Sequence, residues 1–190
     1  GIEALKAVWH RGAVDADGKT GDGAGIHLEI PKDFFIEKIE VTGHDYDNAE
    51  ICVGMIFLPR NDYSAQEKCK TIVESELTKN NFSIYGWRQV PVNPKVLGEK
   101  AFQTMPEIIQ VLFKSNNQNL LDKNLERKIY ETRKKIENKA FDLSLNNFYI
   151  SSMSSKSIIY KGMFLAEGIS HFYSDLKDKR FISRYAIFHQ

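Results

Sequence analysis

The residues best suited to chemistry lie near the N-terminus, in the segment WHRGAVDADGKTGDGAG that spans residues 9–25. Five of the twelve glycines of the chain fall in this segment. Its charged residues are Arg11, Asp15, Asp17, Lys19 and Asp22. Clustered glycines usually mark positive φ or a close approach of the backbone, so the sequence predicts a charged loop. The alternative is a solvated loop that only joins two elements.

Two ligand-binding patterns that this segment suggests do not fit its spacing. A phosphate loop has four residues between its first glycine and the glycine before lysine, whereas five residues separate Gly12 from Gly18. A phosphate loop also follows a strand and opens a helix, and the order predicted here is the reverse. A calcium loop needs a third oxygen ligand where Lys19 stands, after Asp15 and Asp17. The spacing therefore argues against nucleotide and calcium binding by this loop.

The elements that must position the loop follow from hydrophobic periodicity. An apolar stripe predicts a helix over residues 2–11 with Gly12 as its stop, and apolar alternation predicts a strand over 24–30. The further predicted elements are a helix over 31–39, a strand over 51–58, a helix over 65–79, strands over 82–90 and 107–114, an amphipathic helix from 121 to at least 136, a hairpin of 148–152 with 157–161, a helical turn over 162–167 and a strand over 181–190. This order lacks a regular βαβ alternation, which indicates an α+β fold.

The two long helices carry sharper predictions. Ser64 with Glu67 forms a capping-box signature at the start of the first. The second is amphipathic, and its basic run at 133–135 is predicted to be a solvated face. The residues predicted to be buried in these and the preceding helix are Phe34, Phe35, Cys69, Ile72, Val73, Leu77, Leu121, Leu125, Ile129 and Ile136.

A second candidate for ligand contact lies on the predicted strand over 82–90. Trp87 and Arg88 could line a pocket there, where Arg88 would offer a bidentate fork to a carboxylate. The alternative is an arginine stacked on the surface. His27 is predicted to be an ordinary surface or hydrogen-bonded residue, because a lone strand histidine seldom acts as a ligand.

Composition excludes several classes of protein. The 26 basic and 25 acidic residues give a net charge of +1, and a nucleic-acid-binding domain usually has a basic patch and a high pI. No apolar run reaches the eighteen or so residues of a membrane span. The five histidines form no pair at metal-ligand spacing, so we expect no metal. Two cysteines without a recognisable spacing indicate a reducing compartment.

Five segments of the chain resemble one known family. They are HRGAVDADGKTGDGAG (10–25), IYGWRQVP (84–91), FYISSMSSKSIIYKGM (148–163), FYSDL (172–176) and FHQ (188–190). In this order they are similar to the N-terminal glutaminase domain of glutamate synthase large subunits, a class II glutamine amidotransferase. The first segment is long and specific, and the five together span the whole chain.

The resemblance implies both a fold and a reaction. The fold would be that of the N-terminal-nucleophile hydrolases, a four-layer αββα sandwich, here incomplete at both ends and forming a single partial domain over residues 1–190. In the family the first residue is a cysteine, whose thiolate attacks the amide of glutamine while its α-amine manages protons. Backbone and asparagine donors stabilise the oxyanion. The products are glutamate and ammonia, and the ammonia passes to a synthase domain that aminates 2-oxoglutarate.

The chain departs from the family at its first residue, which is Gly1. Cys52 and Cys69 are internal and carry no α-amine. We therefore expect an internal fragment with no catalytic residue of its own, inactive in isolation, whose nucleophile and oxyanion groups lie beyond its ends. The alternative is a non-enzymatic module that keeps the scaffold and binds a ligand or partner.

The resemblance also suggests what surrounds this segment. Arg11, Asp22 and Gly23 are the candidates for shaping the glutamine pocket, with no catalytic step assigned to them. No cofactor is expected in this segment, whereas FMN and an iron–sulfur cluster are implied for the full-length parent. The expected partners are glutamine and the remaining domains of the parent, without nucleic acid or membrane, and the expected location is cytoplasmic.

Overall fold

A computed structural model describes residues 1–7, 13–117 and 122–189, with the side chain of Asp122 left out. The backbone divides into two compact units. The first comprises Gly1–Pro31, Val90–Met105 and Ile159–Gln190. The second comprises Lys32–Gln89 and Pro106–Ile158.

The first unit is built on a three-stranded sheet in the order β6-β1-β7. Its elements are α1 (Ile2–Ala7), β1 (Ala24–Glu29), α4 (Glu99–Gln103), β6 (Ser157–Gly162), α6 (Ile169–Phe172) and β7 (Ala186–His189), with 3₁₀ turns at Pro94–Val96, Ala166–Gly168 and Ser174–Lys177. β1 and β7 are antiparallel, with Ile26 opposite Phe188. The predicted alternation of β1 is confirmed, because every second residue from Ala24 is buried.

The second unit is built on a four-stranded antiparallel sheet in the order β3-β4-β2-β5. Its elements are α2 (Lys32–Val41), β2 (Cys52–Leu58), α3 (Tyr63–Lys79), β3 (Phe82–Gln89), β4 (Glu107–Ser115), α5 (Asp122–Asp142) and β5 (Tyr149–Ser154). Both long helices bury their apolar stripes against one face of this sheet. β2 is buried at nearly every position, as its continuous apolar run predicts for a strand covered on both faces.

The predicted helix cores are confirmed wherever the structure describes them. The buried residues are Phe34, Phe35, Cys69, Ile72, Val73, Leu77, Leu125, Ile129 and Ile136. Leu121, Trp9 and Gly12 lie outside the described residues.

The predicted capping box on α3 is wrong by two residues. The helix begins at Tyr63, and the Asp62 side chain caps it by accepting a hydrogen bond from the Ala65 backbone N–H. Aspartate is as good an N-cap as serine, so the Ser64 signature was a competitor that the chain does not use.

The predicted solvated face of α5 is only partly correct. Lys134 and Lys135 are exposed, but Arg133 is half-buried. Its Nε donates to Glu137 at 2.7 Å and its Nη2 donates to the Ile150 carbonyl at 2.7 Å, so Arg133 ties the helix to β5. An arginine stem can pack on the core while its planar head reaches a backbone acceptor.

The predicted hairpin of β5 with β6 is wrong, although both strands exist. β5 pairs with β2 in the four-stranded sheet, whereas β6 belongs to the three-stranded sheet. Two strands joined by a short turn need not pair with one another, since each can find its ladder elsewhere. The Glu126 carboxylate of α5 fixes the turn by accepting hydrogen bonds from Ser154 and Ser155.

Two C-terminal predictions are displaced. The helical turn expected over 162–167 occurs as a 3₁₀ turn at Ala166–Gly168 followed by α6. The last strand is shorter than 181–190, because the Ser183 hydroxyl donates to the Tyr185 carbonyl and to no ladder. The fold class is α+β with antiparallel sheets, as predicted.

Candidate functional site

The glycine-rich loop folds back on itself as a narrow two-sided turn. Val14 bridges Gly21, and the Asp15 N–H donates to the Thr20 carbonyl at 2.8 Å. At the tip, Gly18 has φ +68° and donates its N–H to the Asp15 carbonyl at 2.9 Å. The two sides of the turn then lead directly into β1.

The acidic tip is saturated by its own backbone. The Asp17 carboxylate accepts hydrogen bonds from the Thr20 hydroxyl at 2.6 Å, the Thr20 N–H at 2.7 Å and the Lys19 N–H at 2.9 Å. These bonds, that of the hydroxyl first, lower the pKa of Asp17 from its ordinary 3.8 to about 2. The N–H groups that a phosphate would need are therefore already bonded to a carboxylate.

The tip is also attached to α4. The Lys100 ammonium donates to the Asp15 carboxylate at 2.6 Å, and the Glu99 N–H hydrogen-bonds to Asp17. Gly98 makes this approach possible, because a β-carbon there would lie 2.1 Å from an Asp17 carboxylate oxygen. A cation of the protein thus neutralises Asp15, which leaves no geometry for calcium at the loop tip.

The base of the loop holds two of the three candidate pocket residues. The Asp22 side chain is exposed, and its carboxylate accepts a hydrogen bond from the Ala13 N–H at 3.2 Å. Gly23 follows with φ +130°, where a β-carbon would lie 3.4 Å from the Gly162 carbonyl oxygen. Any other residue would be strained there. Arg11, the third candidate, lies outside the described residues.

Neither thiol of the chain is placed to act as a nucleophile. Cys52 and Cys69 are both fully buried and unpaired. Burial raises the pKa of the Cys69 thiol to about 11, and it raises the pKa of Cys52 as well. A thiol attacks as its thiolate, so both cysteines are parts of the core.

The pocket predicted at Trp87 and Arg88 exists in the second unit, where both residues line a cavity of about 470 Å³. Their side chains have different neighbours. The Trp87 indole N–H donates to Glu74 of α3 at 2.6 Å. The Arg88 guanidinium donates to Gln110 at 2.7 Å and lies over the Phe34 ring at 5.2 Å. Arg88 is therefore a stacked arginine, as the alternative interpretation held, at the margin of a cavity.

Periodicity missed the rest of this cavity. Tyr63, Gln66 and Lys70 line it from α3, at the i, i+3 and i+7 spacing of one helix face. The signal was available in the sequence, since a glutamine at position 66 interrupts the face that carries Cys69 and Val73. Gln66 is buried, and its amide donates to the Pro59 and Arg60 carbonyls at 2.8 and 3.1 Å.

A search of residues 1–7, 13–117 and 122–189 finds no group of three histidine, cysteine, aspartate or glutamate side chains able to hold a metal ion. Within the same residues, no helix combines the length and the apolar character that crossing a bilayer requires.

Comparison with known proteins gives a consistent result. The family model "Glutamine amidotransferases class-II" matches residues 1–190. The chain is 54% identical over 190 residues to the glutamate synthase [NADPH] large chain of Azospirillum brasilense. It is 39% identical over 189 residues to ferredoxin-dependent glutamate synthase 1 of Arabidopsis thaliana and 36% identical over 191 residues to the enzyme of Spinacia oleracea.

These alignments cover between 98 and 100% of the chain but only 12% of each relative. The family resemblance of the five segments is confirmed by a match that extends through all of them. The glycine-rich loop, the two sheets and the helices that carry them are accordingly those of a class II glutamine amidotransferase, the family to which this chain belongs.

Proposed function

We propose that this chain is part of the glutaminase domain of a glutamate synthase. The domain hydrolyses glutamine to glutamate and ammonia, and the ammonia aminates 2-oxoglutarate in another domain. The observation that carries the proposal is the match of the whole chain to relatives named glutamate synthase, at up to 54% identity. The relatives' names refer to two electron donors, NADPH and ferredoxin, and the matched residues are common to both groups.

The proposal includes the domain arrangement. Both units would belong to one amidotransferase domain over residues 1–190, with two sheets stacked between outer layers of helices. Its support is the family match over all 190 residues, together with one sheet in each unit. The packing of α3 and α5 on one face of the four-stranded sheet supports one outer layer.

Amide hydrolysis in this family needs a thiolate next to a free α-amine. Cys52 and Cys69 supply neither, because both are buried and have raised pKa values. We therefore assign the nucleophile to a residue outside these 190 and no catalytic residue to the chain. In isolation the 190 residues would be inactive.

The contribution of this chain would be to shape the glutamine pocket through Arg11, Asp22 and Gly23. The Ala13 N–H holds the Asp22 carboxylate in an exposed position. Gly23 lets the backbone turn into β1 at a φ that other residues avoid. FMN and an iron–sulfur cluster would belong to other domains of the parent, which are also the expected partners. A cytoplasmic location is part of the proposal, supported by two buried cysteines that form no disulfide.

The test of function uses the complete protein and the 190-residue chain side by side. Glutamate released from glutamine is measured for both, and we expect turnover from the complete protein only. Asp22→Ala in the complete protein should impair this turnover, whereas Asp142→Ala, which removes an exposed aspartate at the end of α5, should not. Unchanged turnover in Asp22→Ala would remove Asp22 from the pocket, and turnover by the isolated chain would refute the assignment of the nucleophile.

The second candidate function is a non-enzymatic binding module on the same scaffold. The observation that favours it is that neither thiol of the chain can form a reactive thiolate. The flanking gene sequence discriminates between the two. A codon for cysteine at the mature start of the domain supports the enzyme, and processing of the mature protein to begin at Gly1 supports the module.

A further inference from the structure

The cavity in the second unit has the chemistry of a small-molecule site distinct from the glycine-rich loop. We name it the α3–β3 pocket and define it by Arg60, Tyr63, Gln66, Lys70, Trp87 and Glu107, with Arg88 at its margin. Its volume of about 470 Å³ falls in the range of pockets that hold small ligands. Ile109, which is buried, provides an apolar floor beside the indole.

Gln66 gives the pocket a buried acceptor that the described residues leave unused. The amide nitrogen is fixed in place because it donates to two backbone carbonyls, those of Pro59 and Arg60. The other amide atom must then be the carbonyl oxygen, and no donor to it exists among the described residues. The side chain is 8% exposed, so this oxygen calls for a donor from a ligand, since unsatisfied buried polar groups are costly.

Charges of both signs surround that acceptor. The Glu107 carboxylate accepts one hydrogen bond, from Gln89 at 2.6 Å, and has a second oxygen without a donor among the described residues. The Lys70 ammonium contacts Glu67 at 2.9 Å in a partly exposed i,i+3 pair, which is readily exchanged for another anion. Arg60 adds a second cation, and the N-terminal end of α3 adds to the positive potential.

This combination points to a zwitterion. We propose that the α3–β3 pocket binds a free amino acid with an apolar side chain. The ligand's ammonium would donate to the Gln66 carbonyl oxygen and to Glu107, and its carboxylate would contact Lys70 and Arg60. The side chain would lie against Trp87 and Ile109. Glu107 disfavours a purely anionic ligand such as a mononucleotide, because it would place like charges together.

The experiment measures binding by calorimetric titration with L-leucine and L-phenylalanine. Lys70→Met and Glu107→Gln should each weaken binding about ten-fold, since each removes a charged hydrogen-bond partner. Lys70→Arg should preserve binding. The matched control is Lys68→Met, which removes the same charge from an exposed position on the same helix and should leave the affinity unchanged.

Ligand analogues test the zwitterion directly. N-acetyl-L-leucine lacks the ammonium and isoamylamine lacks the carboxylate, so each should bind about ten-fold more weakly than leucine. The proposal is overturned if neither amino acid binds, if both analogues bind as well as leucine, or if AMP binds more tightly and ignores Glu107→Gln. Because leucine and phenylalanine lack a side-chain amide to hydrolyse, a negative result here leaves the proposed glutaminase function untouched.

Discussion

The glycine-rich loop and the four-stranded sheet are ordered by opposite means. The sheet is held by apolar burial, with α3 and α5 packed on one of its faces. The loop is largely exposed, and hydrogen bonds to carboxylates hold it in shape: Asp17 alone accepts from two backbone N–H groups and a hydroxyl. A core tolerates exchange among apolar residues of similar volume, whereas a network of this kind depends on individual atoms. The predictions below test this difference, beginning with the largest effect.

Removing core volume should have the largest effect on stability. Ile129 is fully buried between α5 and the sheet, and Ile129→Ala should lower the free energy of unfolding by about 2–5 kcal/mol. Denaturant titration measures this change. Tyr130→Ala at the neighbouring exposed position should cost far less, and an equal loss in the two variants would contradict the account of this core.

In the loop, the most sensitive position should be a glycine outside its own sequence. Gly98→Ala places a β-carbon against the Asp17 carboxylate and should cost about 1–2 kcal/mol. Combining it with Asp17→Ala removes the collision, so the two losses should be less than additive. Additive losses in thermal unfolding would show that Gly98 and Asp17 act independently.

A buried charge in the second unit should give an intermediate effect. Glu76 of α3 is buried and pairs with Lys139 of α5, and that hydrogen bond lowers the pKa of Glu76. Lys139→Met leaves the carboxylate with a weaker contact to Lys79 at 3.7 Å. We expect a smaller loss of stability than for Ile129→Ala. Restoring neutrality with Glu76→Gln in the same chain should recover part of it, and no recovery would show that charge is not the cause.

The smallest effect should appear only in acid. Hydrogen bonds from Lys114 and then Tyr85 lower the pKa of Asp47 from its ordinary 3.8 to about 2. A carboxyl with a lowered pKa in the folded state stabilises the protein above its unfolded pKa, and that contribution is lost as the pH falls from about 4 to about 2. The melting temperature of the protein should therefore fall more steeply across this range than that of Asp47→Asn. Parallel curves would contradict the assignment.

The sequence predicted best the parts of the fold that depend on apolar periodicity. β2, β4 and the buried stripes of α3 and α5 occur where the pattern placed them. Strand pairing could not be predicted in the same way, because the residues of β5 and β6 specify strands but not partners, and the two enter different sheets.

The polar contacts were predicted least well. Asp62 rather than Ser64 caps α3, since a local signature cannot decide between two adjacent capping residues. The bond between Lys100 and Asp15 joins residues 85 positions apart in the chain, and no local pattern announces it. In the α3–β3 pocket, Trp87 was predicted from its own strand, whereas Gln66 and Lys70 reach it from a helix.

The most direct test of the central claim follows the amide nitrogen of glutamine. The complete protein is supplied with amide-¹⁵N glutamine and 2-oxoglutarate, and the label in the amino group of the glutamate formed is measured. We predict that the label appears there, and that Asp22→Ala reduces this transfer while synthesis from added ammonia continues. Absence of label in glutamate from the unaltered protein would contradict a glutaminase function for the domain to which this chain belongs.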